Sequence, residues 1–270
     1  MMGQHSKGNL VIIGGAEDKY GDSRILQEVV DIIGGDEARV GIITTATQHP
    51  EEVGEEYRDV FLRLGVRETE IININTRDEA NHEDNIRRIR DVTGFFFTGG
   101  DQLRITSILG GTRVYEALHD SFNHGTAVVG TSAGASVMCS TMIVEGNSND
   151  AARKCTLKMA PGLRFLEGVI IDQHFDQRGR LGRLLCGIAE NPGILGIGID
   201  EDTAIKVYPE EYFEVLGNNA VTVVDGRSIK STNVSELEPD EILTITNASL
   251  HILSRGYGFD FKRREVITIH

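Results

Sequence analysis

Five short apolar runs, at residues 10–13, 40–44, 71–74, 95–97 and 127–129, alternate with segments of helical periodicity at 23–33, 51–64 and 85–92. Runs this short and apolar throughout are strands buried on both faces, and the segments between them carry the 3.6-residue spacing of amphipathic helices. Such a succession predicts an α/β fold built on a mostly parallel sheet flanked by helices, in which ligands bind beyond the carboxyl ends of the strands. Two further units, around 169–171 and 194–199, continue the pattern. Short alternating runs at 204–207, 213–216, 221–224 and 242–245 then follow between turn-rich segments, and they are expected as antiparallel additions to the same sheet system. No internal repeat or Pro/Gly/Ser linker divides the 270 residues, so one domain spanning 1–270 is expected.

Charge and cysteine usage exclude several classes. A formal net charge of -14 repels nucleic-acid phosphates and anionic membrane surfaces, and no basic run overcomes it locally. Cys139, Cys155 and Cys186 lie far apart with no C-x-x-C pair, which argues against a disulfide framework and a zinc knuckle and for a reducing cytoplasm. The run at 10–13 ends at Gly14-Gly15, too soon for the core of an export signal. The glycines there and at Gly99-Gly100 lack the spacing of a phosphate loop, and tight turns suffice to explain Gly14-Gly15.

The chemistry centres on Gly130-Thr131-Ser132-Ala133-Gly134, which places a serine among small residues between a strand and a helix-forming segment. A nucleophile elbow needs this composition, because the sharp turn strains the serine's backbone and brings neighbouring chains very close. Ser132 is the candidate nucleophile. Of the eight histidines, His5 and His270 are terminal and five more lie in polar or helical contexts, whereas His174 follows 168–173 at a strand end, where a general base belongs. A structural histidine is the competing reading of that position. A carboxylate must orient the imidazole, and Asp200, Glu201 and Asp202 all end the run 195–199; composition does not choose among them. Donors for a developing oxyanion are expected from the backbone amides of Gly100, in Thr98-Gly99-Gly100-Asp101-Gln102, and of Ala133. The order Ser132, His174, then acid departs from that of the α/β-hydrolases.

Taken together, the strings 11–19, 98–104, 130–135, Asp172-Gln173-His174-Phe175 and Gly198-Ile199-Asp200-Glu201-Asp202-Thr203 make the chain resemble the cyanophycinases, serine peptidases of the same broad group as aspartyl dipeptidase. The resemblance covers nearly the whole chain and implies a fold like that of class I glutamine amidotransferases. It also implies a Ser132, His174, Glu201 triad and hydrolysis of cyanophycin, a polyaspartate bearing arginine on each β-carboxyl, to β-Asp-Arg. Residues matching the family's pocket are Gln102, Asp172, Gln173, Arg178, Arg180 and Arg183. A homodimer is implied, and no cofactor or metal. In that pocket Asp172 is expected to share a face with His174 and pair the substrate guanidinium, while Arg180 and Arg183 hold its free carboxylates. Rival readings are an exopeptidase for short aspartyl peptides and a non-catalytic binding module of the same fold.

Overall fold

Strand β1 (Leu10–Ile13) is buried along its whole length, and its side chains alternate between two cores. Leu10 and Ile12 enter one with Phe95, Phe97 and Val128, while Val11 and Ile13 enter the other with Val40, Ile42 and Phe96. This two-sided burial is what the unbroken apolar runs require. The computed structural model describes residues 7–146, 148, 151–154, 157–209 and 211–269; Cys155 and the terminal His5 and His270 lie outside them.

Along the chain, β1 is followed by α1 (Arg24–Ile33), β2 (Arg39–Ile43), α2 (Pro50–Arg63), β3 (Glu68–Ile72) and α3 (Glu83–Arg90). Next come β4 (Gly94–Phe97), α4 (Gln102–Leu109), α5 (Arg113–Asn123), β5 (Ala127–Thr131) and the single turn α6 (Ala133–Ser136). Helix starts follow elementary rules. Pro50 opens α2 with Glu51 and Glu52 in its first turn, and Asp101 caps α4 by accepting from the Leu103 and Arg104 amides. Strands β3, β2, β4, β5 and β1 lie in that order and parallel. The edge strand β3 carries exposed and half-buried polar residues from Glu68 to Glu70, as an unpaired edge facing water demands.

The second half comprises β6 (Thr141–Glu145), β7 (Lys158–Pro161), β8 (Val169–Gln173), α7 (Leu181–Glu190), β9 (Leu195–Ile199), β10 (Thr203–Val207), β11 (Tyr212–Gly217) and β12 (Val221–Asp225). The short β13 (Ser231–Thr232) and β14 (Ile245–Thr246) pair with each other, and β15 (Ser249–Leu253), β16 (Tyr257–Asp260) and β17 (Glu265–Thr268) complete the chain. Here the structure departs from expectation. Strands β10, β11, β16 and β17 do extend the large sheet antiparallel beyond β1, giving nine strands, but β8 and β9 leave it and form a second sheet in the order β15-β12-β9-β8. The run at 221–224 pairs with β9 in that second sheet, and most of 242–245 is outside any strand. The two sheets meet where their carboxyl ends converge: the His174 amide donates to Gly14 O at 2.8 Å, and the Asp202 amide to Gly15 O at 3.0 Å.

Candidate active site

Ser132 follows β5 with φ 53° and ψ -113°, a conformation that ordinary side chains adopt only under strain and that an elbow imposes. The turn is tight enough to need the flanking glycine. A Cβ on Gly134 would lie 2.3 Å from the Phe97 carbonyl oxygen, so the helix after the serine packs directly on β4. Ser132 N donates to Ile13 O at 3.1 Å, tying the elbow to β1.

His174 stands just past β8, also at positive φ, and Glu201 just past β9. Because β8 and β9 run parallel with Gln173 opposite Ile199, the residues that follow them emerge at one end of the second sheet. The result is a linear chain of hydrogen bonds: Ser132 Oγ lies 3.0 Å from His174 Nε2, and His174 Nδ1 lies 2.6 Å from Glu201 Oε1. Burial pulls the pKa of His174 below the ordinary value; the Glu201 hydrogen bond opposes this, and the nearby Arg178 reinforces it. The imidazole is therefore neutral at physiological pH. Gly15, at φ 99°, backs the ring so closely that a Cβ there would lie 2.4 Å from His174 Cε1.

The acidic triplet is sorted by its partners. Asp200 accepts from the backbone amides of Asp176 and Ala220, and Asp202 from Asp18 N and Asn218 Nδ2; Glu201 is the one that reaches His174. Both flanking aspartates hold loops in place. The turn carrying Gly99 and Gly100 lies against the serine, since a Cβ on Gly99 would sit 3.4 Å from Ser132 Cβ. Ala133 opens α6 directly after the nucleophile candidate.

The remaining expected residues group differently from the expectation. Asp172 is 1% exposed, and its carboxylate accepts from Arg180 Nη1 at 3.2 Å and from Arg183 through both Nε, at 2.6 Å, and Nη2. Arg180 also donates to the Gln173 carbonyl, and burial pulls its pKa down to about 10. Asp172 thus faces two buried guanidiniums of its own chain, so the expected division, with the acid for a substrate cation and the arginines for substrate carboxylates, is corrected. The physical reason is strand direction: His174 has left the extended conformation, so its side chain and that of Asp172 do not share a face. Gln102 Nε2 donates to the carbonyls of Ile143 and Val144, and Arg183 Nη1 to Gly146 O, so both clamp the end of β6. Gln173 is buried, with Oε1 unpaired among the described residues, while Arg178 is exposed.

A cavity of about 500 Å³ opens over Ser132 and His174, and its other wall was missed in the sequence: Glu17, Lys19, Tyr20, Glu56 and Tyr57. Glu17 is buried and accepts from the hydroxyls of Tyr57 at 2.5 Å and Thr131 at 2.6 Å. Lys19 Nζ pairs with Glu56 at 3.0 Å. A signal did exist at 14–19, because this turn ends β1 at the sheet's carboxyl edge; nothing local marks Glu56 and Tyr57 on α2. Cys139 is no rival nucleophile, since full burial pushes its thiol up to about 12.

The model of peptidase family S51 matches residues 10–215. A cyanophycinase from Synechococcus elongatus is 40% identical over 266 residues, covering 97% of this chain and 83% of the relative. One from Geminocystis herdmanii is 36% identical over 265 residues, covering 98% of this chain and 97% of the relative. A peptidase from an acI-B1 Actinobacterium has a crystal structure with TM-score 0.68 and 19% identity over 98% of both chains, a likeness of fold alone.

Proposed function

This chain belongs to peptidase family S51 and is a serine-type peptidase, and from that premise we propose that it hydrolyses the polyaspartate backbone of cyanophycin to β-Asp-Arg through Ser132, His174 and Glu201. What supports the substrate is the cyanophycinase name borne by relatives that align along nearly the whole chain. The observation that carries the mechanism is the unbroken hydrogen-bond chain from Ser132 Oγ through the imidazole to Glu201.

In the neutral imidazole Nδ1–H donates to the Glu201 carboxylate, which leaves Nε2 free to accept the serine proton. Ser132 Oγ attacks a backbone aspartyl carbonyl while that proton moves to Nε2. Negative charge gathers on the former carbonyl oxygen, for which the amides of Gly100 and Ala133 serve as donors. The amine then leaves, taking the proton from the imidazolium, and water enters along the same path to release the acyl group and restore Ser132. Glu201 supplies an anion beside the transient imidazolium. The Asp172, Arg180, Arg183 cluster braces the strand that leads to His174, and Arg178, just after that histidine, is the exposed cation available to a substrate carboxylate.

The enzyme works as a homodimer in the cytoplasm in this reading. The family resemblance supports the first, and the acidic charge and cysteine spacing support the second. Among the described residues no helix is long and apolar enough to cross a membrane. Incubation with insoluble cyanophycin and mass analysis of the supernatant tests the function. Soluble β-Asp-Arg from wild type and none from Ser132→Ala is expected; a wild type that leaves the polymer intact refutes it.

A further inference from the structure

Cyanophycin carries one guanidinium per repeat, yet the buried carboxylate nearest the catalytic histidine in sequence, Asp172, is engaged by Arg180 and Arg183 of its own chain. A site for the substrate's cation has to be found elsewhere around Ser132. The cavity over Ser132 has one wall with the needed chemistry. Three carboxylates, Glu17, Asp18 and Glu56, line it with a single ammonium, Lys19, and two aromatic rings stand beside them; the Asp18 carboxylate is taken by the backbone amides of Tyr20, Gly21 and Ser23. Glu17 forms no ion pair among the described residues; its oxygens are taken by two hydroxyls, so its charge acts on the cavity rather than on a cation of its own. Glu56 lies nearer the rim, its side chain 37% exposed, and it accepts from Lys19 Nζ at 3.0 Å and Tyr20 OH at 2.9 Å. Burial raises its pKa, but those two hydrogen bonds outweigh it and hold the carboxyl ionised.

The wall already carries cations in the free protein. Lys19 Nζ sits 4.4 Å from the centre of the Tyr57 ring, and the Arg63 guanidinium 5.7 Å from that of Tyr20. Tyr20 is itself 72% exposed at the cavity mouth, an aromatic face left in water beside an acid. We propose that this wall is the subsite for the substrate's arginine side chain, with Glu56 as its carboxylate partner, Tyr20 and Tyr57 as its stacking faces, and Lys19 as the resident cation that it displaces. The proposal rests on the cyanophycin reading. A planar guanidinium engages a carboxylate through two parallel hydrogen bonds and stacks on rings, whereas the Lys19 ammonium is a strongly hydrated point charge that makes one hydrogen bond to Glu56 and lies over the Tyr57 ring. The exchange therefore favours arginine over lysine on the substrate.

The test compares kcat/KM on a short β-Asp-Arg oligomer with that on the same oligomer bearing citrulline, which keeps the shape and loses the charge. Glu56→Gln is expected to lower the arginine-over-citrulline preference about tenfold, through KM, as loss of a half-exposed charge-assisted bond would. Glu55→Gln, on the same helix but paired with Arg58, is expected to leave the preference unchanged. Lys19→Met, which removes the competitor, is expected to raise it. Wild type that cleaves the arginine oligomer, combined with equal losses on both oligomers in Glu56→Gln or a lowered preference in Lys19→Met, overturns the subsite. Wild type that cleaves neither overturns the cyanophycin reading and the subsite with it.

Discussion

Asp172 and His174 stand two residues apart at the end of one strand, yet they belong to opposite kinds of polar cluster. His174 opens onto a cavity, and its two nitrogens join a strained serine to a single carboxylate. Asp172 is sealed, and two arginines, 6% and 8% exposed, satisfy its charge. A buried ion pair gains little net stability over an apolar replacement, but removing one member strands the other in a dry site. The sealed cluster is thus a rigid brace linking β8, α7 and, through Arg183, the end of β6. The open chain is the proton path of the proposed mechanism. Access and spare bonding capacity, rather than charge or position in the chain, distinguish the two.

The largest effect expected is on the open chain. Ser132→Ala should lower kcat by about 10⁴ to 10⁶ with an unchanged melting temperature, since a nucleophile has no substitute. Glu201→Gln should follow with a loss of roughly 10³ to 10⁴, because an amide does not stabilise the imidazolium. Asp200→Asn should act instead on stability, because its carboxylate holds the Asp176 and Ala220 amides; paired kinetics and thermal melts on the two variants check the assignment. If Asp200→Asn proves the more damaging to kcat, the wrong member of the triplet has been placed beside the histidine.

The sealed cluster should respond in the reverse sense. Asp172→Asn is expected to destabilise the fold by roughly 3 kcal/mol, since it leaves two buried guanidiniums without their anion. That lowers the melting temperature by roughly 5 to 10 °C in a chain of this size. Its remaining activity should fall equally on arginine- and citrulline-bearing substrates. A normal melt with a selective loss on arginine would return Asp172 to the substrate pocket. The smallest expected effect is a displacement along the pH axis. Catalysis needs the neutral imidazole, so kcat/KM falls as pH drops through the pKa of His174, which burial places below the ordinary 6.5. In Glu201→Gln the anion that opposes this shift is gone, so the acid limb of the residual activity should move to still lower pH.

The elbow was legible because its requirement is local: small residues on both sides of Ser132, where Gly134 packs on the Phe97 carbonyl. The core strands were legible because two-sided burial makes each run apolar throughout, as in Phe95-Phe96-Phe97. Sheet membership was not, because β9 pairs with β12 through the same period-two texture that would serve in the larger sheet. The bonding of Asp172 was equally hidden, since Arg180 and Arg183 suit a sealed brace and a substrate pocket alike. Glu201 separates from Asp200 and Asp202 only through the register of β8 against β9. Glu56 reaches the cavity from a helix about 76 residues before Ser132, and no spacing rule links them.

If the open chain, and not the sealed cluster, carries the chemistry, Ser132 is the residue that a serine-reactive probe modifies. A fluorophosphonate probe followed by peptide mapping is predicted to modify Ser132 in the wild type and in folded Asp172→Asn, and to leave His174→Ala unmodified. Absence of an adduct on Ser132 in the wild type, or labelling that survives His174→Ala undiminished, would rule out Ser132 as a nucleophile activated by His174.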